Sequence, residues 1–235
     1  MQIDLIEILQ GTFSLIFVII SVIIGLKILF KYFEYKSNQL LLVGITWIGL
    51  STPWWPDSIN LILILTTNSI LSIEANFIIG TSAMPITLLL WLKAFTDLAY
   101  NEKQKLILII FIIVGIIFEI IFFYFLFTQP NLIGTFNTPF QLVYGIYIEI
   151  FLVIFLLVVL ITGILFGKKS LSSENPELKL KGKFLILAFV LFTIGAFLDS
   201  IIPELFILAR IVLVISALSF YFGFMLPDWL KEKLL

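Results

Sequence analysis

Hydrophobic residues in this chain come in long, nearly unbroken blocks, separated by short polar punctuation, with neither strand alternation nor a heptad seam dominating. A helix needs about 20 mainly apolar residues to cross a ~30 Å hydrocarbon core. Read against that length, the blocks predict seven membrane-spanning helices, near 12–33, 39–56, 75–96, 106–127, 140–166, 184–203 and 205–226. The expected fold class is therefore all-α, a polytopic bundle of seven transmembrane helices forming a single domain. The second block is interrupted by STPWWPDS. Either the helix ends there and Ile59–Thr66 packs as a short separate helix, or it continues, kinked, to about Thr66.

Composition agrees. The chain is 61% hydrophobic and 12% charged, with a mean hydropathy of +1.19, against about 45–50% apolar and 25% charged in soluble domains. The sequence holds no cysteine and no histidine. This excludes disulfides and iron–sulfur ligation, and removes the usual zinc and haem ligands and the His of a Ser-His-Asp triad. No metal, cofactor or nucleic-acid partner is expected, nor is an enzyme: an acid-based mechanism would need a paired acidic motif, and none is visible. The opening MQIDLIEILQ lacks the basic n-region of a secretory signal, so the first block is expected to stay in place.

Orientation follows from the lysines. Lys31 and Lys36 follow the first block, Lys93, Lys103 and Lys105 flank the third-to-fourth connection, and Lys231 and Lys233 close the chain. Lys168, Lys169, Lys179, Lys181 and Lys183 crowd the segment 167–183, while Lys27 snorkels to the same surface. All thirteen lysines thus fall on one side. The connections near 67–74 and 128–139 carry no basic residue, and the positive-inside rule predicts an outside N-terminus and a cytoplasmic C-terminus. On this reading 167–183 is a basic cytoplasmic loop, either a solvated connector or a docking site for a protein partner or anionic headgroups. MLPDWLKEKLL predicts a short amphipathic helix anchored by Trp229.

Three acids interrupt the apolar blocks, each four residues after a glycine: Gly115/Glu119, Gly145/Glu149 and Gly195/Asp199. Carboxylates are costly in a bilayer, so they are expected to face the bundle interior and to pair or be neutral. At 1.5 Å per residue Glu119 is placed roughly 12 Å deep and Glu149 roughly 15 Å deep. The i, i+4 spacing puts Gln141, Gly145 and Glu149 on one stripe. The one arginine, Arg210, lies about as far after the Pro203–Glu204 turn as Asp199 lies before it, which predicts an intramembrane Asp199–Arg210 ion pair. Glu119 and Glu149 then remain as candidates for a ligand or ion site, or for neutral acids bonded to Tyr144, Tyr147 or Gln141. Trp54 and Trp55 are expected in the interfacial aromatic belt, or alternatively in one wall of a cleft with Asp57 at its rim.

Seven spans with an outside N-terminus invite comparison with rhodopsins and G-protein-coupled receptors. However, Leu205–Met225 lacks a Schiff-base lysine, and the Asp/Glu-Arg-Tyr and Asn-Pro-x-x-Tyr motifs are missing. A PQ-loop transporter is set aside because no Pro-Gln pair occurs. The stretches GITWIGLSTPWWP, LLLWLKAFTDLAY and FYFGFMLPDWLKEKL resemble the seven-helix membrane module at the N-terminus of some prokaryotic sensor histidine kinases, and uncharacterised archaeal membrane proteins. That resemblance implies a multi-pass cell-membrane sensor or receptor, here ending where a kinase would begin. The expected role is binding an unknown small or lipidic ligand in the outer half of the bundle. The alternative is a proton- or cation-coupled transporter using Glu119 or Glu149, which the apolar inner half of the fifth block disfavours.

Overall fold

The computed structural model describes residues 4–235, apart from the side chains of Ile201 and Pro203; the first residues of the MQIDLIEILQ stretch, 1–3, lie outside it. Helix α1 (Leu5–Tyr35) opens on a capping box in which Asp4 and Glu7 satisfy each other's backbone donors. It ends at Lys36 in the left-handed region. Helix α2 (Asn38–Leu50) runs into a 3-10 turn over Thr52–Trp54 and then directly into α3 (Trp55–Thr67). Both α2 and α3 pack along α1, so the chain continues through STPWWPDS instead of stopping there. Pro53 and Pro56 cannot donate to the helical ladder. Hydroxyls take up the carbonyls near the break: Ser51 Oγ donates to Ile48 O, Thr52 Oγ1 to Gly49 O and Ser58 Oγ to Trp54 O.

The third block is also broken. Helix α4 (Ile73–Thr81) stops and α5 (Met84–Ala99) begins after a short turn, with Pro85 in the first turn of α5. The two breaks are neighbours, since a Cβ on Gly80 would sit 3.2 Å from Pro56 Cγ and 3.8 Å from Pro53 Cα. Broken helices are tolerated inside membranes where protein or a cavity covers the freed backbone.

Helix α6 (Gln104–Thr128) leads to a hairpin that the block pattern does not anticipate: β1 (Gly134–Thr138) pairs antiparallel with β2 (Gln141–Tyr144), with an irregularity at Asn137. Helix α7 (Ile146–Leu171) therefore starts six residues later than expected at 140. Gln141 is in a strand, Gly145 is the N-cap and Glu149 stands in the first turn. The predicted Gln141–Gly145–Glu149 helical stripe does not exist. Gly145 is held against backbone, where a Cβ would collide with Leu132 O.

Helix α8 (Pro176–Ile201) and α9 (Phe206–Phe224) are joined by a 3-10 turn, and α10 (Asp228–Leu234) ends the chain. The expected loop 167–183 is instead the two helix ends plus a short turn. Asn175 caps α8 with Pro176 at its first position, and Gly167 and Gly182 let the helices approach until a Cβ on either would lie 2.8–3.0 Å from the other's carbonyl oxygen. Gly25 and Gly44 do the same for α1 and α2, the small-residue packing that membrane helices use.

Among the described residues, six helical segments are long and apolar enough to cross a membrane: Leu5–Tyr35, Ile73–Ala99, Asn101–Thr128, Ile146–Leu171, Pro176–Ser200 and Phe206–Phe224. The α2–α3 segment is not among them; its two helices of 13 residues each are separated by the polar, proline-containing turn at Ser51–Trp54. The chain is thus an all-α membrane-type bundle with a small hairpin. The lysines collect at the end holding the α7–α8 turn and α10, where Lys231 reaches Glu177 at 2.5 Å and Lys169 Nζ donates to Leu98 O. The hydrogen bond to Glu177 raises the Lys231 pKa. Mid-bundle, Trp47 stacks on Phe220 with centroids 3.9 Å apart and Trp91 packs on Phe189 at 4.7 Å. These rings sit in a core rich in aromatic residues.

Candidate functional site

The α8–α9 hairpin places Asp199, in the last turn of α8, beside Arg210, in the second turn of α9. Close passage of the two helices brings this about: a Cβ on Gly195 would lie 2.8 Å from Leu213 Cγ and 3.2 Å from Ala209 O. Arg210 is 1% exposed. Its Nη1 lies 2.9 Å from Asp199 Oδ2, an ion pair by distance in which the N–H is not aligned as a hydrogen bond. Its Nη2 donates to Asp57 Oδ2 at 3.1 Å. Asp57 reaches this point because the break at Pro53–Pro56 starts α3 with that residue in its first turn.

Trp54 completes the cluster. Its indole N–H donates to Asp199 Oδ2 at 2.9 Å, and its ring faces the Arg210 guanidinium with Cζ 5.5 Å from the centroid. Ser14, on α1, donates to Asp57 Oδ2 at 3.2 Å. Two carboxylates thus share one guanidinium. Both direct Oδ2 at it, while neither Oδ1 accepts a hydrogen bond among the described residues. Nor is either Oδ1 among the fully enclosed unpaired atoms; the Asp57 and Asp199 side chains keep 15% and 18% of their surface. By contrast Arg210 Nε and Nη1 are sealed.

That remaining acid surface borders a cavity of about 100 Å³ in the lysine-free half of the bundle. Asp57, Asp199 and Arg210 line it at one side, and Trp54, Phe192 and Phe155 are among the aromatic residues around them. The hairpin contributes Phe140, Gln141, Leu142 and Tyr144. It is fastened there by two amides, half-buried Gln10 and buried Asn60: Gln10 Nε2 donates to Phe140 O and Asn60 Nδ2 to Pro139 O, each at 2.7 Å, while Asn60 Oδ1 accepts from Leu71 N at 2.8 Å. Phe140 packs on Leu61 and Ile64.

The structure therefore brings Asp57, Asp199, Arg210, Trp54, Tyr144 and Gln141 to one cavity and leaves the other candidates outside it. Trp54 is 5% exposed, so it is a wall residue and not part of an interfacial belt. Trp55 is half-buried and donates to Ser51 Oγ at 3.0 Å, away from the cavity lining. Glu149 is exposed on the first turn of α7, so its predicted depth does not hold; an acid at a helix N-terminus is favoured by the helix dipole. Glu119 is half-buried on α6 and does not line the cavity. Its neighbour Tyr147 donates to Phe118 O at 2.8 Å and not to either acid. Gly115 serves packing, its Cβ position lying 3.2 Å from Pro85 Cβ. Sequence reasoning missed Ser14, Gln10 and Asn60, polar residues in apolar helices whose partners are more than 40 positions away.

No family model matches the chain, and no curated protein or solved structure is significantly similar to it.

Proposed function

We propose that the chain is a seven-pass membrane protein of receptor-like or sensor-like type, with its N-terminus outside, that binds a small amphipathic molecule in the cavity beside Asp57, Asp199 and Arg210. The observation carrying this reading is the cavity itself, where an ion cluster meets aromatic walls; a few convergent polar groups in an otherwise apolar pocket are the usual form of a ligand site. For the seventh crossing, the support is that α2 and α3 together follow α1 along its length, and the orientation rests on the lysine-free end. Transport by way of Glu119 or Glu149 loses support, because neither lines the cavity. Beyond Phe192 lies the Trp47–Phe220 stack, with no polar route toward the lysine end among the cavity-lining residues. The exposed Lys168, Lys169, Lys179 and Lys183 suit anionic headgroups or a cytoplasmic partner.

The test is thermal unfolding of the purified protein against a panel of small amphiphiles, with Ala196→Phe as the filled-cavity control, since Ala196 lines the space. A ligand that binds only the folded state raises the midpoint by mass action. The expected result is a shift in the native protein that the filled variant loses; a shift retained by the filled variant refutes the site.

A further inference from the structure

We infer that the cavity receives a small organic cation, an amine with a short apolar body, and that Asp57 and Asp199 are the anions that hold it. This deepens the binding reading above and rests on it. The first support is charge. Two carboxylates face one guanidinium, and no second basic side chain lines the cavity. The cluster is one positive charge short, and burying an uncompensated charge is expensive.

The second support is the direction of the free atoms. Asp57 and Asp199 each commit Oδ2 to Arg210, and among the described residues neither Oδ1 accepts a hydrogen bond, on side chains that retain surface and line the cavity. The Arg210 donors that make no aligned hydrogen bond, Nε and the ion-paired Nη1, are fully enclosed and not open to an incoming molecule. The cavity therefore presents acceptors carrying negative charge, and an anion entering it would meet the carboxylates first. The third support is the wall: aromatic faces attract cations and cover an apolar body at once, and Trp54 and Phe192 flank the acids. The volume of about 100 Å³ is comparable to the ~150 Å³ apolar cavity that admits benzene, so the guest is a single ring or a short chain.

The absence of cysteine permits a direct test without knowing the natural guest. A thiol is introduced by Ala196→Cys at the cavity, and separately by Leu156→Cys in case the first variant folds poorly; both positions line the space. Modification rates are measured with the 2-aminoethyl, methyl and 2-sulfonatoethyl methanethiosulfonates. Each rate is divided by that reagent's rate at Ser69→Cys on the exposed α3–α4 connection. A cation beside a carboxylate in a partly desolvated site is attracted far more strongly than in bulk water, so even after screening the cationic reagent should lead the neutral one by roughly tenfold or more, with the anionic one slowest. Asp57→Asn or Asp199→Asn, each leaving one acid to balance Arg210, should remove the lead of the cationic reagent over the neutral one. If the neutral reagent reacts as fast as the cationic one, the cavity is accessible and the binding reading stands, but the cation assignment is wrong. If no reagent reacts at either position while Ser69→Cys is modified, the cavity is closed to small molecules and both readings fall.

Discussion

Replacing Arg210 with methionine removes the buried cation between two part-buried carboxylates while keeping most of the side-chain length. In the structure this deletes contacts of 2.9 and 3.1 Å and a ring contact with Trp54 at 5.5 Å, from a residue that is 1% exposed. Breaking a buried pair by removing one partner costs about 3–5 kcal/mol, because the other charge is left uncompensated. For a chain of this size about 2–4 °C of melting midpoint accompanies each kcal/mol, so Arg210→Met should lower the midpoint by roughly 6–20 °C. Tryptophan fluorescence during heating, at one scan rate in one detergent, reads the apparent midpoint. Adding Asp57→Asn and Asp199→Asn to Arg210→Met removes the stranded charges and should recover most of the loss, since neutral replacement of a whole buried ionic cluster is often tolerated. Strong non-additivity is the expected signature. A midpoint unchanged by Arg210→Met, or a triple variant no more stable than the single one, would refute the idea that Arg210 is the counter-ion holding both acids.

Three further outcomes are expected. Glu149→Gln, on the exposed first turn of α7, should leave both ligand-induced midpoint shifts and stability unchanged within about 0.5 kcal/mol; a larger loss would return that residue to the site. Asn60→Ala strands the carbonyl of Pro139 and the N–H of Leu71, costing about 1–3 kcal/mol. Limited proteolysis should then cut between 134 and 144 faster than in the native chain. Gly44→Leu would press a Cβ to within 2.6 Å of Gly25 O and 2.8 Å of Leu29 N. Because both are backbone atoms, α1 and α2 must separate, and a loss of about 1–3 kcal/mol or more should appear as a lower unfolding midpoint.

Block hydrophobicity made the helical bundle legible, and most helix positions with it, because bilayer-length apolar runs allow few other structures. The Asp199–Arg210 proximity was legible too: a tight hairpin puts residues equidistant from its turn at one level, and the structure has them 2.9 Å apart. Asp57 was visible only as a rim residue, since its depth depends on how Pro53 and Pro56 redirect the chain. The hairpin was hidden by hydrophobicity. Phe140 and Leu142 read as the start of a span, although the Thr-, Phe-, Val- and Tyr-bearing stretches on either side of Pro139 have strand composition and a turn between them. That error placed Glu149 in the interior, whereas it stands at a helix end. The break between α4 and α5 had a signal in GTSAMP, small and polar residues before Pro85. Gln10, Ser14 and Asn60 carried none, because a lone polar residue in an apolar helix does not name its partner.

On the reading proposed above, an electronegative cavity lies in the outward half of a seven-pass bundle. The most direct test of this central claim is modification of Ala196→Cys in intact cells by a membrane-impermeant trimethylammonium methanethiosulfonate. Modification from outside, without permeabilisation and slowed by Asp199→Asn, is the predicted result. Modification only after the inner surface is exposed, at a rate indifferent to Asp199, would contradict both the orientation and the site.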